Sequence, residues 1–263
     1  MSPRVAAFYC VFDDDEWLPF SLASIYPCME KIYFFVSHRP WNGPVTDNST
    51  TLRVIEEFPD PDNKIELIRG EWTNEVQQRN AAMAHITIKG FDYAFIIDAD
   101  EIYHPDALRN MLALAASRPE VEVWHCWFIH FWKSSGYRID PPENHHPPIL
   151  LKPGCGGFLE YRNCVANKHE LIPAEIGFCF HMSYARTDEQ IRRKLTAFSH
   201  SHQVAPDWFD RVWKGWDNDH SITDLCPYNP GVFERAVAVD PQLLPPVLQE
   251  PQRSEYQRMV ERL

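Results

Sequence analysis

Four short strand-like runs, the first of them continuously apolar, spaced by helix-like segments, fill the first 118 residues and restrict the chain to few folds. The runs are 4–12 (Arg-Val-Ala-Ala-Phe-Tyr-Cys-Val-Phe), 31–37 (Lys-Ile-Tyr-Phe-Phe-Val-Ser), Lys64 to Arg69, and Phe91 to Ile97. Continuous apolar runs of strand length fit strands buried on both faces. Between and after them, Trp17 to Ile25 (with Pro19 near its first turn), Ser49 to Phe58, Thr73 to Ile88 and Pro105 to Ser117 read as helices. A loop rich in Pro, Asn and Gly runs from His38 to Asn48. Strands alternating with helices at this spacing imply βαβ units, right-handed crossovers and a mostly parallel sheet. In open sheets of this kind ligands bind beyond the carboxyl ends of the strands, so functional residues are expected just after residues 12, 37 and 97.

After Pro119 the pattern changes. Residues 121–131 form a long β-type run with no helix behind it, and 148–152, 157–162 and 176–181 read as shorter strands. This half predicts a mixed or antiparallel sheet. Thr187 to Ser201 predicts a helix: Thr187 caps it, Asp188 and Glu189 suit its N-terminal dipole, and Ile191, Leu195 and Phe198 repeat at helical spacing. Residues 203–263 are rich in Pro and Trp and end in a helical pattern near 243–262. The expected organisation is an α/β domain over 1–202, divided at 118/119, with a helical C-terminal extension over 203–263. The chain holds 22 Pro, where average usage of about 5% would give about 13, which favours long irregular connections.

The formal net charge of −12 argues against a nucleic-acid binder and against docking on an anionic membrane. An anionic ligand would need a local device: a cation, arginines or helix N-termini. No apolar run approaches the roughly 18 residues of a membrane span, and the run before Asp13 is too short for a secretory leader. The seven Cys are scattered, without a Cys-x-x-Cys pair, and read as reduced thiols of a cytoplasmic protein.

The most informative segment is Phe95-Ile-Ile-Asp98-Ala-Asp100-Glu101. An apolar strand ends in carboxylates spaced i, i+2, which strand alternation would project to one side. Two such charges repel unless a cation lies beside them. Hard oxygen ligands suit Mg²⁺ or Mn²⁺, which keep open positions for substrate phosphates.

Further motifs stand in order around it. Asp15-Glu16 follows the first strand, Asp47-Asn48-Ser49-Thr50-Thr51 leads into a helix, and Gln78-Arg79-Asn80-Ala81 lies on the third helix. Asn167-Lys168-His169-Glu170 and Phe180-His181-Met182-Ser183-Tyr184 follow, then a helix with Lys194 and Phe198-Ser199. Over roughly residues 5–202 this order resembles the family 2 glycosyltransferases with a GT-A fold. Its second half is similar to the Val-His-Glu and His-x-x-Tyr motifs of the branch that includes lipopolysaccharide inner-core glucosyltransferases. Asp15 stands where Asn is usual, Lys168 replaces Val, and Ser37-His38-Arg39 with a longer loop delays the Asp-x-Ser-Thr element.

The resemblance implies a metal-dependent, inverting transferase that moves a hexose from a nucleotide-diphosphate sugar, a UDP-sugar favoured, to a saccharide or other hydroxyl acceptor. It implies Mn²⁺ or Mg²⁺ on Asp98, Asp100 and His181, and a nucleotide sugar on Glu16, Asp47, Arg79 and Asp98. Glu170 is the expected general base, with Glu160 and Asp188 as alternatives. Two other classes stay open: a non-catalytic sugar or nucleotide-binding module, and a sugar nucleotidyltransferase. Against the latter, no Gly-rich phosphate loop follows the first strand. Trp124, Trp127, Phe131, Trp132 and Tyr137 read as core packing, and His145-His146 as a mobile loop without metal partners at ligand spacing. Trp208, Trp213 and Trp216 are open to an acceptor-site role or a homodimer contact.

Overall fold

The computed structural model describes residues 3–41, 45–197 and 201–262. Its strands are β1 (Val5–Val11), β2 (Lys31–Ser37), β3 (Ile65–Gly70), β4 (Tyr93–Ile96), β5 (Glu101–Ile102), β6 (Val123–His125) and β7 (Phe128–Trp132). They continue with β8 (Ser134–Asp140), β9 (Pro148–Leu151), β10 (Phe158–Glu160), β11 (Asn163–Cys164), β12 (His169–Leu171), β13 (Cys179–Tyr184) and β14 (Arg235–Ala238). The helices are α1 (Leu18–Ile25), α2 (Ser49–Glu57), α3 (Glu75–Lys89), α4 (Pro105–Ser117), α5 (Asp188–Ala197), α6 (Gly215–Asn218) and α7 (Gln252–Arg262).

The expected parallel unit is present. β4, β1, β2 and β3 lie side by side and parallel. All of β1 is buried because both faces of the sheet are covered. Ala7, Tyr9 and Val11 pack with Leu22 of α1, Val54 of α2 and Met111 of α4, whereas Ala6 and Phe8 pack with Ala82, Met83 and Ile86 of α3. Each fully buried side chain of this size contributes about 1.5–3 kcal/mol, so the unbroken run is what two-sided burial requires. Helix ends follow local chemistry: Asn74 accepts from Gln77 N to cap α3, and Gly90, at φ 73°, ends it in the left-handed region.

β9 then joins antiparallel to β4, β6 joins β9, and β12 closes the edge, giving the order β12-β6-β9-β4-β1-β2-β3. A second sheet has the order β14-β8-β7-β13-β5. The run over 121–131 is therefore two strands in two sheets, broken at Cys126-Trp127. Both sides of the break are apolar and buried, so periodicity carried no mark of it. Trp124 and Trp132 consequently lie in different cores. The chain also crosses from the first sheet to the second at 97–100, between β4 and β5.

Trp208, Trp213 and Trp216 are buried with Trp132 and Tyr184 against the second sheet. The C-terminal segment, expected to be helical, also supplies β14, which pairs with β8. The helix expected near 243–262 begins only at Gln252, because Pro241, Pro245, Pro246 and Pro251 interrupt the backbone donors a longer helix needs. α7 returns to α1, where the Tyr256 and Phe20 rings lie 5.7 Å apart. The expected helix over 187–201 is observed as α5, while Phe198-Ser199 lies outside the described residues.

Candidate active site

A cleft of about 680 Å³ opens where β1 and β4 end and the second sheet begins. Its wall includes Asp98, Asp100, Glu101, Arg79, Glu16 and His181. It also includes Arg162, Arg186, Arg193, Lys194, His130 and Glu143.

β4 ends at Ile96, so Asp98 and Asp100 occupy a turn, not a strand, and meet different partners. Asp98 accepts from Arg79 Nη2 at 3.1 Å and from Arg162 Nη1 at 3.4 Å. Burial opposes its ionisation, but the two guanidiniums hold its carboxyl below the usual range. Asp100 Oδ2 accepts from Arg186 Nη2 at 3.1 Å and Lys194 Nζ at 3.5 Å, while Oδ1 faces His181 Nε2 at 3.4 Å. Burial again opposes ionisation, and Lys194, His181 and Arg186 hold this carboxyl well below its normal range.

Arg162 reaches the site through a docked hairpin. Asn80 Nδ2 donates to Phe158 O at 3.0 Å, and Phe158 N donates to Asn80 Oδ1 at 2.8 Å. Gly157 permits this approach: its φ is 79°, and a Cβ there would stand 2.8 Å from Asn80 Oδ1. The hairpin, β10–β11, carries Arg162, which donates to Ile96 O at 2.9 Å, Pro148 O at 3.0 Å and both oxygens of buried Glu101.

A second chain of contacts runs along the floor. Glu143 Oε2 lies 3.1 Å from His130 Nε2, and His130 Nδ1 lies 3.1 Å from His181 Nδ1. Burial pushes the His130 imidazole down to about 4, so it is neutral at pH 7. With its Nε2–H donated to Glu143, its Nδ1 accepts from His181 Nδ1–H. His181 Nε2 therefore faces the Asp100 carboxylate, and these two atoms would together hold a divalent ion in place of a proton between them. Among the described residues no three His, Cys, Asp or Glu group around a common point. The protein would thus supply two ligands and substrate oxygens the rest, as suits Mg²⁺ or Mn²⁺.

Other expected site residues lie differently. The Glu16 carboxylate is taken by Arg186 and, at 2.6 Å, by Arg193. Asp47 is exposed and outside the cleft, where it accepts from Ser49 N and Oγ, both at 2.9 Å, ahead of α2. Its neighbours instead pin the loop after β1: Asn48 accepts from Asp13 N at 2.8 Å and Thr51 from Asp14 N at 2.9 Å. Burial pushes the Asp14 carboxyl up to about 7.

Glu170 is not brought to the cleft. It lies on β12, at the sheet's edge, bound by both Nη atoms of Arg118 with Lys168 Nζ 3.5 Å away. Glu160 is exposed and Asp188 accepts from Trp213 Nε1 at 2.9 Å, and neither lines the cleft. Beside Glu170, His125, His145, His146 and His169 line a separate shallow hollow, with His125 Nε2 3.0 Å from His169 Nδ1.

Sequence reasoning missed Arg162, Arg186, Arg193, His130 and Glu143. The Gly156-Gly157 turn before Arg162 was the one local signal of a docked hairpin.

The mixed α/β architecture is that of the GT-A fold. Residues 44–188, more than half of the chain, match the family model Glycosyl transferase family 2. The chain belongs to that family.

Among solved structures it is similar to the mannosyltransferase PcManGT from Pyrobaculum calidifontis, determined with GDP-Man and Mn²⁺. That match has 17% identity and a TM-score of 0.44, and covers 74% of this chain and 62% of that one. TarS 1–349 from S. aureus matches at 15% identity and a TM-score of 0.33, covering 50% of this chain and 36% of that one. The chain therefore spans less than two thirds of either. A search of the curated proteins finds no match. No helix among the described residues is long and apolar enough to cross a membrane.

Proposed function

We propose that the cleft transfers a hexosyl group from a nucleoside diphosphate sugar, a uridine diphosphate sugar favoured, to a saccharide or other hydroxyl acceptor, with inversion at the anomeric carbon. The observation that carries this reading is the turn of Asp98 and Asp100, set among five basic side chains at the carboxyl ends of β1 and β4. It is the local device that a chain of charge −12 needs to hold a diphosphate.

Each residue then has a task. Asp98, oriented by Arg79 and Arg162, accepts from the ribose. Arg186 and Lys194 donate to phosphate oxygens, where charge grows as the glycosidic bond breaks. Glu16 holds Arg186 and Arg193 in place. Asp100 Oδ1 and His181 Nε2 would hold Mn²⁺ or Mg²⁺, which supplies Lewis-acid neutralisation of the departing diphosphate. His181, Tyr184 and Lys194 also keep the features that resemble the inner-core glucosyltransferase branch. The seven cysteines are thiols, all raised in pKa by burial, as suits a reducing cytoplasm.

The test is a thermal-shift screen of uridine, guanosine, thymidine and cytidine diphosphate sugars with and without Mn²⁺. One donor should raise the Tm, more so with Mn²⁺, and Asp100→Ala should abolish the rise. A protein indifferent to every donor, or a shift untouched by Asp100→Ala, overturns the proposal.

A further inference from the structure

Eight carboxylates line the cleft. Six of them stand within 4 Å of an arginine or lysine nitrogen: Asp13, Glu16, Glu75, Asp98, Asp100 and Glu101. A carboxylate clamped by a cation is a poor proton acceptor, because taking up the proton forfeits the ion pair. Two remain. Asp14 follows β1, on the wall that the donor nucleotide takes at the end of an open parallel sheet. Glu143 lies between β8 and β9, contributed from the second sheet's side, and its described partner is an imidazole.

Resting on the donor-site reading above, we propose that Glu143 is the general base that deprotonates the acceptor hydroxyl, with His130 as its positioning residue. The acceptor oxygen attacks the anomeric carbon as the carbon–oxygen bond to the diphosphate breaks. The bonding pair leaves with the diphosphate, and the hydroxyl proton passes to a Glu143 oxygen. The His130 Nε2–H hydrogen bond at 3.1 Å fixes one carboxylate oxygen and leaves the other for the acceptor. That partner is an imidazole, not the guanidinium or ammonium that clamps each of the other six, so it orients Glu143 through a single hydrogen bond. Glu143 also lines the cleft, which Glu170 does not.

The experiment compares wild type, Glu143→Gln, Glu143→Ala and Asp14→Asn in donor binding and in transfer. Glu143→Gln should keep the donor-induced Tm rise and lose about 10²–10⁴-fold in transfer, the range of a positioned base. Azide, which attacks carbon without a proton to surrender, should restore turnover of the donor in Glu143→Ala as a glycosyl azide. His130→Gln should lower kcat more than it raises KM. Full transfer by Glu143→Gln, or loss and azide rescue in Asp14→Asn instead, overturns the assignment. If wild type itself neither binds nor turns over a nucleotide sugar, the donor-site reading fails first, so the two failures are distinct.

Discussion

His130 Nδ1 and His181 Nδ1 stand 3.1 Å apart, and with Glu143 on the far side of His130 this contact sets the proton positions of the whole cleft floor. It leaves His181 Nε2 facing Asp100 Oδ1 at 3.4 Å. Replacing His130 by Phe removes the partner that orients the His181 ring. Loss of an outer partner of this kind typically costs about 10–100-fold in metal affinity. Mn²⁺ titration, followed by calorimetry, should show that fall, and an unchanged affinity would break the link between the two histidines and the ion.

The same residue governs acid stability. His130 is held at about 4 in the fold against 6.5 in the unfolded chain, because burial disfavours its charge. Between those values the unfolded chain binds more protons, so stability rises with pH. The contribution is complete above about 6.5 and is lost as pH falls toward 4, roughly 3 kcal/mol at about 1.4 kcal/mol per pH unit. Urea denaturation of wild type and His130→Asn at pH 7 and pH 4.5 should show a smaller acid loss in the variant.

Arg162 is a brace before it is a ligand. It ties β4 through Ile96 O, the start of β9 through Pro148 O, and the acids Asp98 and Glu101. Arg162→Met leaves Glu101, which is fully buried, without its cation. Breaking a buried pair from one side costs about 3–5 kcal/mol. At about 2–4 °C per kcal/mol, a thermal melt should drop by roughly 10 °C. A Tm within a degree of wild type would show that Glu101 is stabilised by other means.

Glu170→Gln gives the opposite expectation. Its carboxylate binds Arg118, and it does not line the cleft. The variant should transfer sugar at the wild-type rate and lose about 1 kcal/mol or less in stability. An assay of kcat and KM checks this directly.

The sequence revealed most where the structure is local. Strands β1 to β4 and helices α1 to α4 could be read because each apolar run is bounded by polar turns. The acids at 98 and 100 could be read because charge at the end of an apolar strand is conspicuous. What escaped notice was long-range. Arg162 meets Glu101 across 61 residues and Arg186 meets Asp100 across 86, so no window of sequence contains both partners. Glu143 sits in Pro-Pro-Glu-Asn-His-His-Pro-Pro, whose composition signals only a loop. Glu170 lies away from the cleft because strand β12 carries it to the sheet's edge, a placement set by pairing with β6 and invisible in the motif itself.

Residues 97–100 both end one sheet and begin the other, and they hold the two acids. That seam binds turnover to cohesion: tilting either sheet against its neighbour shifts the partners of Asp98 relative to those of Asp100 before any strand need melt. Inactivation by heat should therefore run level with, or just ahead of, the cooperative loss of structure, leaving no loosened yet working form of the enzyme.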